Sequence, residues 1–421
     1  MPRFFFLSAP LLALIVLGGV IFFGDTLSSR LQRLAFANSL FSGKEQYETF
    51  SRLWTLFPVT TLPASPAPSV WPAGETLVLP GRFDHGGAAQ RTADFLAETD
   101  TAALLVIQKG KIRYEAYALT GGPKTQWPSW SVAKSFVSAL IGIALDEGLI
   151  KTIEDPVTVY LPALEGSGYE GVSIKDILQM SSGVRWDEDY SAFNSDINRL
   201  GRIIALGGSL DHFLTTIEPD RPTGTFNRYN SADTQVLGRL LVAVTGKSLS
   251  AYMDEKLWQP LGAHANGYWL VDDKGMEMAF AGFNATARDY ARLGQLYLRG
   301  GNWNGQQLVP AEWVRASVAP DAPHLLAGDN PKSNNQFGYG YQWWALGPDA
   351  QGRRGDYMAM GVYNQFIYVN PDKDLVIVKL SANSEFGVSD DQASYRDQET
   401  IALFRAIAEA AAAEGVGGLG G

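Results

Sequence analysis

The run Trp130-Ser131-Val132-Ala133-Lys134-Ser135 opens an apolar segment that ends near Ile150, and it constrains the fold more than any other stretch. Ser131 and Lys134 are three residues apart, so in a helix they share one face, a turn from each other. Phe136, Val137, Ala139, Leu140, Ile141, Ile143, Ala144 and Leu145 surround the lysine with apolar positions on nearly every side. Such a helix belongs in the interior. A lone ammonium there is costly, so Lys134 must be paired or give up its proton. Burial and the positive end of the helix both favour the neutral amine. A neutral amine beside a serine hydroxyl activates an otherwise weak nucleophile. Taken alone, a Ser-x-x-Lys match also fits an ordinary helix start.

Composition narrows the possibilities. The 421 residues are 46% hydrophobic and 19% charged, which describes a globular chain with room for one large domain. A formal net charge of -10 argues against nucleic acid as a partner. With no cysteine, disulfides, thiolate nucleophiles and thiolate metal sites are excluded. The four histidines form no zinc-binding pair, so a histidine metal site is not expected, and without a Gly-x-Ser-x-Gly elbow a Ser-His-Asp hydrolase lacks its usual signature; no cofactor is expected. Phe4 to Phe23 are twenty residues without a charge, enough for a helix of about 30 Å. They read as an uncleaved transmembrane signal anchor contacting membrane lipid through residues 4–23, with a cleaved signal peptide as the alternative. That reading places the chain as a single-pass protein of a bacterial-type inner membrane, with its domain outside the cytoplasm.

The rest divides into four parts. Residues 1–24 form the anchor and 25–84 an amphipathic stalk with a Pro-rich linker (Pro58, Pro63, Pro66, Pro68, Pro72). Residues 85–410 form the domain and 411–421 a disordered, Gly-rich tail. Within the domain, Ala88–Glu98 reads as an amphipathic helix. Ala103–Gln108 and Lys111–Tyr117 read as a hairpin turning at Lys109-Gly110. Helical and loop sequence continues to about Leu298, with cap-like starts at Ser173, Ser231 and Thr286. Strand patterns return at Gly340–Ala345, Gln365–Val369 and Leu375–Ser381, and Asp397–Glu409 closes as a helix. The order implies one α+β domain whose sheet is built from both ends of the chain around a helical insertion.

Two further stretches bear on chemistry. In Phe226-Asn227-Arg228-Tyr229-Asn230-Ser231 a tyrosine precedes a helix, where its phenol can face a cleft and, beside a cation, ionise or carry a proton. In Tyr357-Met358-Ala359-Met360-Gly361-Val362 a glycine at a strand edge lets backbone approach a ligand, with the N–H of Val362 facing an oxyanion. The acidic, aromatic Arg185–Tyr190 stretch reads as a solvated loop, with a pocket lining or a cation site as the alternative. Asp233 is expected to steer Tyr229 or to complement the helix dipole, and Arg288 with Asp289 to form an ion pair. Among Tyr339, Tyr341, Trp343 and Trp344, alternation leaves half for a substrate wall.

Ser131-Val-Ala-Lys134, Tyr229-Asn-Ser231 and Ala359-Met-Gly361 before Phe366-Ile-Tyr-Val-Asn-Pro371 stand in an order that resembles serine β-lactamases and penicillin-binding peptidases. The closest likeness is to the class C β-lactamase-related branch holding family VIII carboxylesterases and 6-aminohexanoate-oligomer hydrolases. Met180-Ser-Ser-Gly183, Tyr160-Leu-Pro162 and Ala287–Gly294 strengthen it over residues 85–410. The resemblance implies a β-lactamase/DD-peptidase-like α+β fold, with an antiparallel sheet flanked by terminal helices and a largely helical subdomain.

It further implies that Ser131 is the acylated nucleophile, Lys134 its base and Tyr229 the carrier of the leaving-group proton. The N–H groups of Ser131 and Val362 would form the oxyanion hole, and Asn230, Ser231, Ala359, Met360 and Gly361 would contact substrate. Two departures stand out. Ser231 replaces the usual asparagine of the Tyr-x-Asn motif. Ala359-Met360-Gly361 stands for Lys-Thr-Gly, whose lysine and threonine hold a substrate carboxylate in penicillin-recognising members. A missing charge-assisted bond costs about 1.5–3 kcal/mol, so efficient β-lactamase activity is not expected. An ester or amide, small or peptide-like, fits better. The alternatives are a non-turnover acyl-binding or sensor domain and a structural envelope protein. Oligomeric state is not legible in the sequence.

Overall fold

The computed structural model describes residues 27–417 apart from Ala350 and Arg354. Seven strands form the main antiparallel sheet: β1 Thr101–Gln108, β2 Lys111–Tyr117, β3 Gly338–Tyr339, β4 Trp344–Ala345, β5 Tyr357–Gly361, β6 Gln365–Asn370 and β7 Leu375–Ser381. Their spatial order is β3-β4-β5-β6-β7-β1-β2. The sheet is thus built from both ends of the domain, and Lys109-Gly110, both at positive φ, turn the first hairpin. Gly340–Ala345 is not one strand: Gln342 has a φ of 60°, and the chain reverses between β3 and β4.

Six helices matter here: α1 over residues 27–39, α2 Ala133–Asp146, α3 Asp196–Ala205, α4 Ser231–Thr245, α5 Ala287–Leu298 and α6 Asp397–Gly417. Central strand β7 is buried along its whole length, as its unbroken Leu-Val-Ile-Val run requires. On one sheet face α5 approaches so closely that a Cβ on Gly294 would lie 2.7 Å from Ile367 and Val376. On the other, Phe404 of α6 stacks edge-on against Phe366. Buried α2 packs against α4, which brings the Ser131 turn to the end of the Tyr229 loop.

Several expectations are corrected. Residues 4–23 lie outside the described residues, and no helix among the described residues is long and apolar enough to cross a membrane. The described residues form the α+β domain, and none of their helices is a transmembrane span. Residues 27–84 do not stand off as a stalk. Phe50 is buried against the rings of Trp127, Trp130 and Tyr363, and Val59–Leu62 pairs with Gly267–Leu270 as an added edge strand. Phe36, Phe50, Leu53 and Leu62 are drawn into the core, and Pro58 and Pro63 only flank the strand, where their missing N–H groups leave its ladder intact. Ala88–Arg91 is a strand and only Thr92–Glu98 is helical. The closing helix runs on past Glu409 to Gly417 because its alanines sustain it; residues 418–421 lie outside the described residues.

The packing of Phe50 leads to a test. Phe50→Ala should lower the unfolding free energy by about 3–5 kcal/mol in denaturant melts, as for other buried phenylalanines. A loss below 1 kcal/mol would mean the segment is only loosely attached.

Candidate active site

Ser131 sits in a 3₁₀ turn, Trp130–Val132, that runs straight into α2. Trp130 holds a φ of 43°, sparsely populated for a bulky residue, and this bend turns Ser131 toward a cleft. The serine is 8% exposed. One turn further, Lys134 is only 2% exposed, and its Nζ donates to Ser131 Oγ at 3.1 Å, Ser231 Oγ at 3.1 Å and the Phe280 carbonyl at 2.9 Å. Burial brings its pKa down to about 7, against the partly opposing charges of Glu188 and Asp233. The amine lies 5.1 Å from the centre of the Tyr229 ring.

Tyr229 is half-buried, stacked on Trp344 with 5.4 Å between centroids, and shares the cleft lining with Ser131. Burial and the Glu188 charge push its pKa well up. The ionised phenol considered from sequence is therefore disfavoured, and Tyr229 rests as a proton-bearing phenol.

Strand β5 delivers the third element. A Cβ on Gly361 would stand 2.6 Å from the Ser129 carbonyl and 3.0 Å from the Ser131 nitrogen. Only glycine allows this backbone contact. The next residue, Val362, opens a turn in which Tyr363 and Asn364 both have a φ of 63°. Gln365 clamps that turn by donating to the carbonyls of Val362, Tyr363 and Ser381. The backbone of Val362 is thereby fixed beside Ser131.

The cleft is a cavity of about 700 Å³ whose lining includes Ser131, Tyr229, Trp344, Met360, Gly361 and Val362. Two residues expected to contact substrate point elsewhere. Asn230 caps α4, its Oδ1 accepting from the Ala232 N–H at 2.8 Å while its amide donates to Asp233. Ala359 is buried in the core, since strand alternation turns Met360 to the cleft and its neighbour away. Ser231 does reach the site. Of the aromatic quartet, Trp344 lines the cavity, whereas Tyr339, Tyr341 and Trp343 are buried.

The sequence reading missed Glu188. Its carboxylate receives the Ser231 N–H at 3.0 Å, the Ser231 hydroxyl at 2.7 Å, the Tyr190 hydroxyl at 3.0 Å and the Trp186 indole N–H. Hydrogen bonds thus link Ser131, Lys134, Ser231 and Glu188 in a row. The aromatic neighbours Trp186 and Tyr190 were the available signal that this acidic run folds inward. Asp233, in contrast, is fully buried and structural: Tyr169, Ser182 and Asn230 all donate to its Oδ1, and burial lifts its pKa to about 8. Arg288 pairs with Glu115 rather than Asp289, and Asp289 pairs with Arg292.

A model of the beta-lactamase family matches residues 88–402. The chain belongs to the beta-lactamase family. It is 33% identical over 348 residues to the 6-aminohexanoate-dimer hydrolase of Paenarthrobacter ureafaciens, covering 79% of this chain and 84% of that protein. A solved Bacillus anthracis protein assigned as a 6-aminohexanoate-dimer hydrolase superposes with a TM-score of 0.74 at 22% identity, covering 87% of this chain and 97% of that one. A family VIII carboxylesterase structure gives 0.55 at 15% identity, covering 76% and 95%. The family resemblance read from the motifs is borne out, and the chain is a serine hydrolase of the β-lactamase fold.

Lys134 also leaves a signature on stability. Below pH 7 the lysine carries its proton folded or unfolded, and the full cost of burying the charge is present. Between about 7 and the unfolded value of 10.5 the unfolded lysine is protonated while the folded one is not, so stability rises with pH. The unfolding free energy of the wild type minus that of Lys134→Met should therefore climb between pH 7 and 9, by at most about 1.4 kcal/mol per pH unit. A difference that stays flat in urea melts would contradict the lowered pKa.

Proposed function

We propose that this serine hydrolase cleaves an ester or amide through a covalent acyl-Ser131 intermediate. The observation that carries the reading is the buried Lys134 amine, 3.1 Å from Ser131 Oγ and with a pKa near 7. In its neutral form the amine still donates to Ser231 and Phe280 and turns its lone pair to the Ser131 hydroxyl. Lys134 takes that proton as Oγ attacks the carbonyl carbon. The N–H groups of Ser131 and Val362 hold the oxyanion, the backbones of residues 131 and 361–362 being side by side. Tyr229 gives its phenolic proton to the leaving oxygen or nitrogen, and the protonated Lys134, which lies 5.1 Å from the centre of that ring, returns the serine's proton to the phenolate. Water then attacks the acyl ester by the reverse route. Glu188 orients Ser231, and through it the amine, from the far side.

The lining supports a substrate without an obligatory carboxylate. Ala359 is buried and Met360 offers a thioether, so neither provides a cation. Six acidic side chains (Asp187, Glu188, Asp189, Asp390, Asp397 and Glu399) line the large cavity against two arginines, Arg228 and Arg396. Both arginines are already paired, with Asp220 and with Glu98 and Glu399. Such a lining suits a neutral or amine-bearing leaving group better than an anionic one, and it favours ester or amide cleavage over β-lactam cleavage.

The test uses intact mass and turnover together. A fluorophosphonate should add once to the wild type and not to Ser131→Ala, and p-nitrophenyl butyrate should be turned over many times per protein. No adduct on the folded wild type would remove the reading. A single burst equal to the protein concentration would favour the acyl-binding sensor instead.

A further inference from the structure

Ser131 opens onto a second space. Besides the large cavity, a compartment of about 60 Å³ meets the serine from the other side, and the two share Ser131, Glu188, Tyr190 and Val362. Its walls are largely apolar. One comes from the N-terminal segment, through Ala37, Leu40 and Phe41, which precede the residues matched by the family. Phe41 is fixed there by stacking on Tyr363 at 5.3 Å and by contact with Tyr190 at 4.8 Å. Another wall is α3, where Gly201 lies; a Cβ on that glycine would meet nothing within 4 Å. The roof is the segment Met278–Ala281 that also supplies the carbonyl bonded to Lys134.

The two spaces differ in what they face. Tyr229 lines the large cavity and is absent from the lining of the small one. A group that protonates the departing atom must face it, so the leaving group belongs in the large cavity. The other substituent of the attacked carbonyl is then directed into the small compartment. We infer that this compartment is an acyl pocket, closed by the N-terminal segment and selective for a short unbranched aliphatic chain. The inference rests on the acyl-Ser131 reading above. About 60 Å³ is less than half of the roughly 150 Å³ cavity that admits a benzene ring, so an aromatic acyl group does not fit. A chain of two to four carbons does, and each methylene buried is worth about fourfold in binding.

The experiment is a kcat/KM series on p-nitrophenyl acetate, butyrate, hexanoate and benzoate with the full chain. Wild type should prefer butyrate over acetate by on the order of tenfold, from two further methylenes, and should disfavour benzoate. Gly201→Val, which puts a side chain into the space while keeping the helix, should lower the butyrate-to-acetate ratio about tenfold. Leu40→Ala, which opens the opposite wall, should raise the hexanoate-to-butyrate ratio several-fold. Fluorophosphonate labelling of Ser131 in each variant shows that it is folded and reactive. If the labelled variants keep the wild-type ratios, or if only a series of alkyl leaving groups responds to them, the acyl pocket is refuted while the acyl-Ser131 reading stands. If wild type itself takes no label, it is that underlying reading that fails.

Discussion

The structure depends on how the Lys134 amine is buried. Three partners from three parts of the chain meet it: Ser131 at the head of its own helix, Ser231 at the head of α4, and the carbonyl of Phe280. An amine out of water with its hydrogen bonds satisfied is tolerable, whereas an isolated ammonium there is not. The same enclosure that lowers the pKa makes the group a base at neutral pH. Packing of α2 against α4 is therefore a requirement of the chemistry as well as of the core, because it sets the distance between the amine and both serines.

Around that amine the chain assembles a site from pieces that are remote in sequence. The bend at Trp130 turns Ser131 outward, and Gly361 lets β5 press its backbone against the serine turn. Gln365 holds the next turn in a conformation with two consecutive positive φ values. Rigid placement of backbone N–H groups is what oxyanion stabilisation requires, since donors that must reorganise lose most of their advantage. Behind the serine, the N-terminal segment contributes Phe41 to the same aromatic cluster. A region preceding the matched family residues has thus become part of the wall of the site.

What the sequence made legible follows from periodicity. Ser131 and Lys134 were paired by helical spacing alone, and the hairpin at Lys109-Gly110 by alternation and a turn residue. Tyr229 and Gly361 could be placed beside them only through their shared order with a known family. Other features were only faintly marked. Glu188 lies in an acidic run that composition assigns to solvent, but its neighbours Trp186 and Tyr190 and, from remote α4, the N–H and hydroxyl of Ser231 all donate to it and turn it inward. Asn230, one place before the usual motif position, was expected to contact substrate, yet the free N–H groups of the helix start claimed its side chain. Residues 25 to about 60 read as an amphipathic stalk because one apolar stripe does not say what it packs against, and only tertiary packing shows that it completes the core beside Trp130.

The most direct measurement is the second-order rate of Ser131 phosphonylation by a fluorophosphonate between pH 5.5 and 9.5, followed by intact mass. A neutral Lys134 acting as base requires the rate to rise about tenfold per unit at low pH, bend near pH 7 and then level off. A rate independent of pH over that range, or one that bends only near the ordinary lysine value of 10.5, would mean that burial of Lys134 is not what activates the serine.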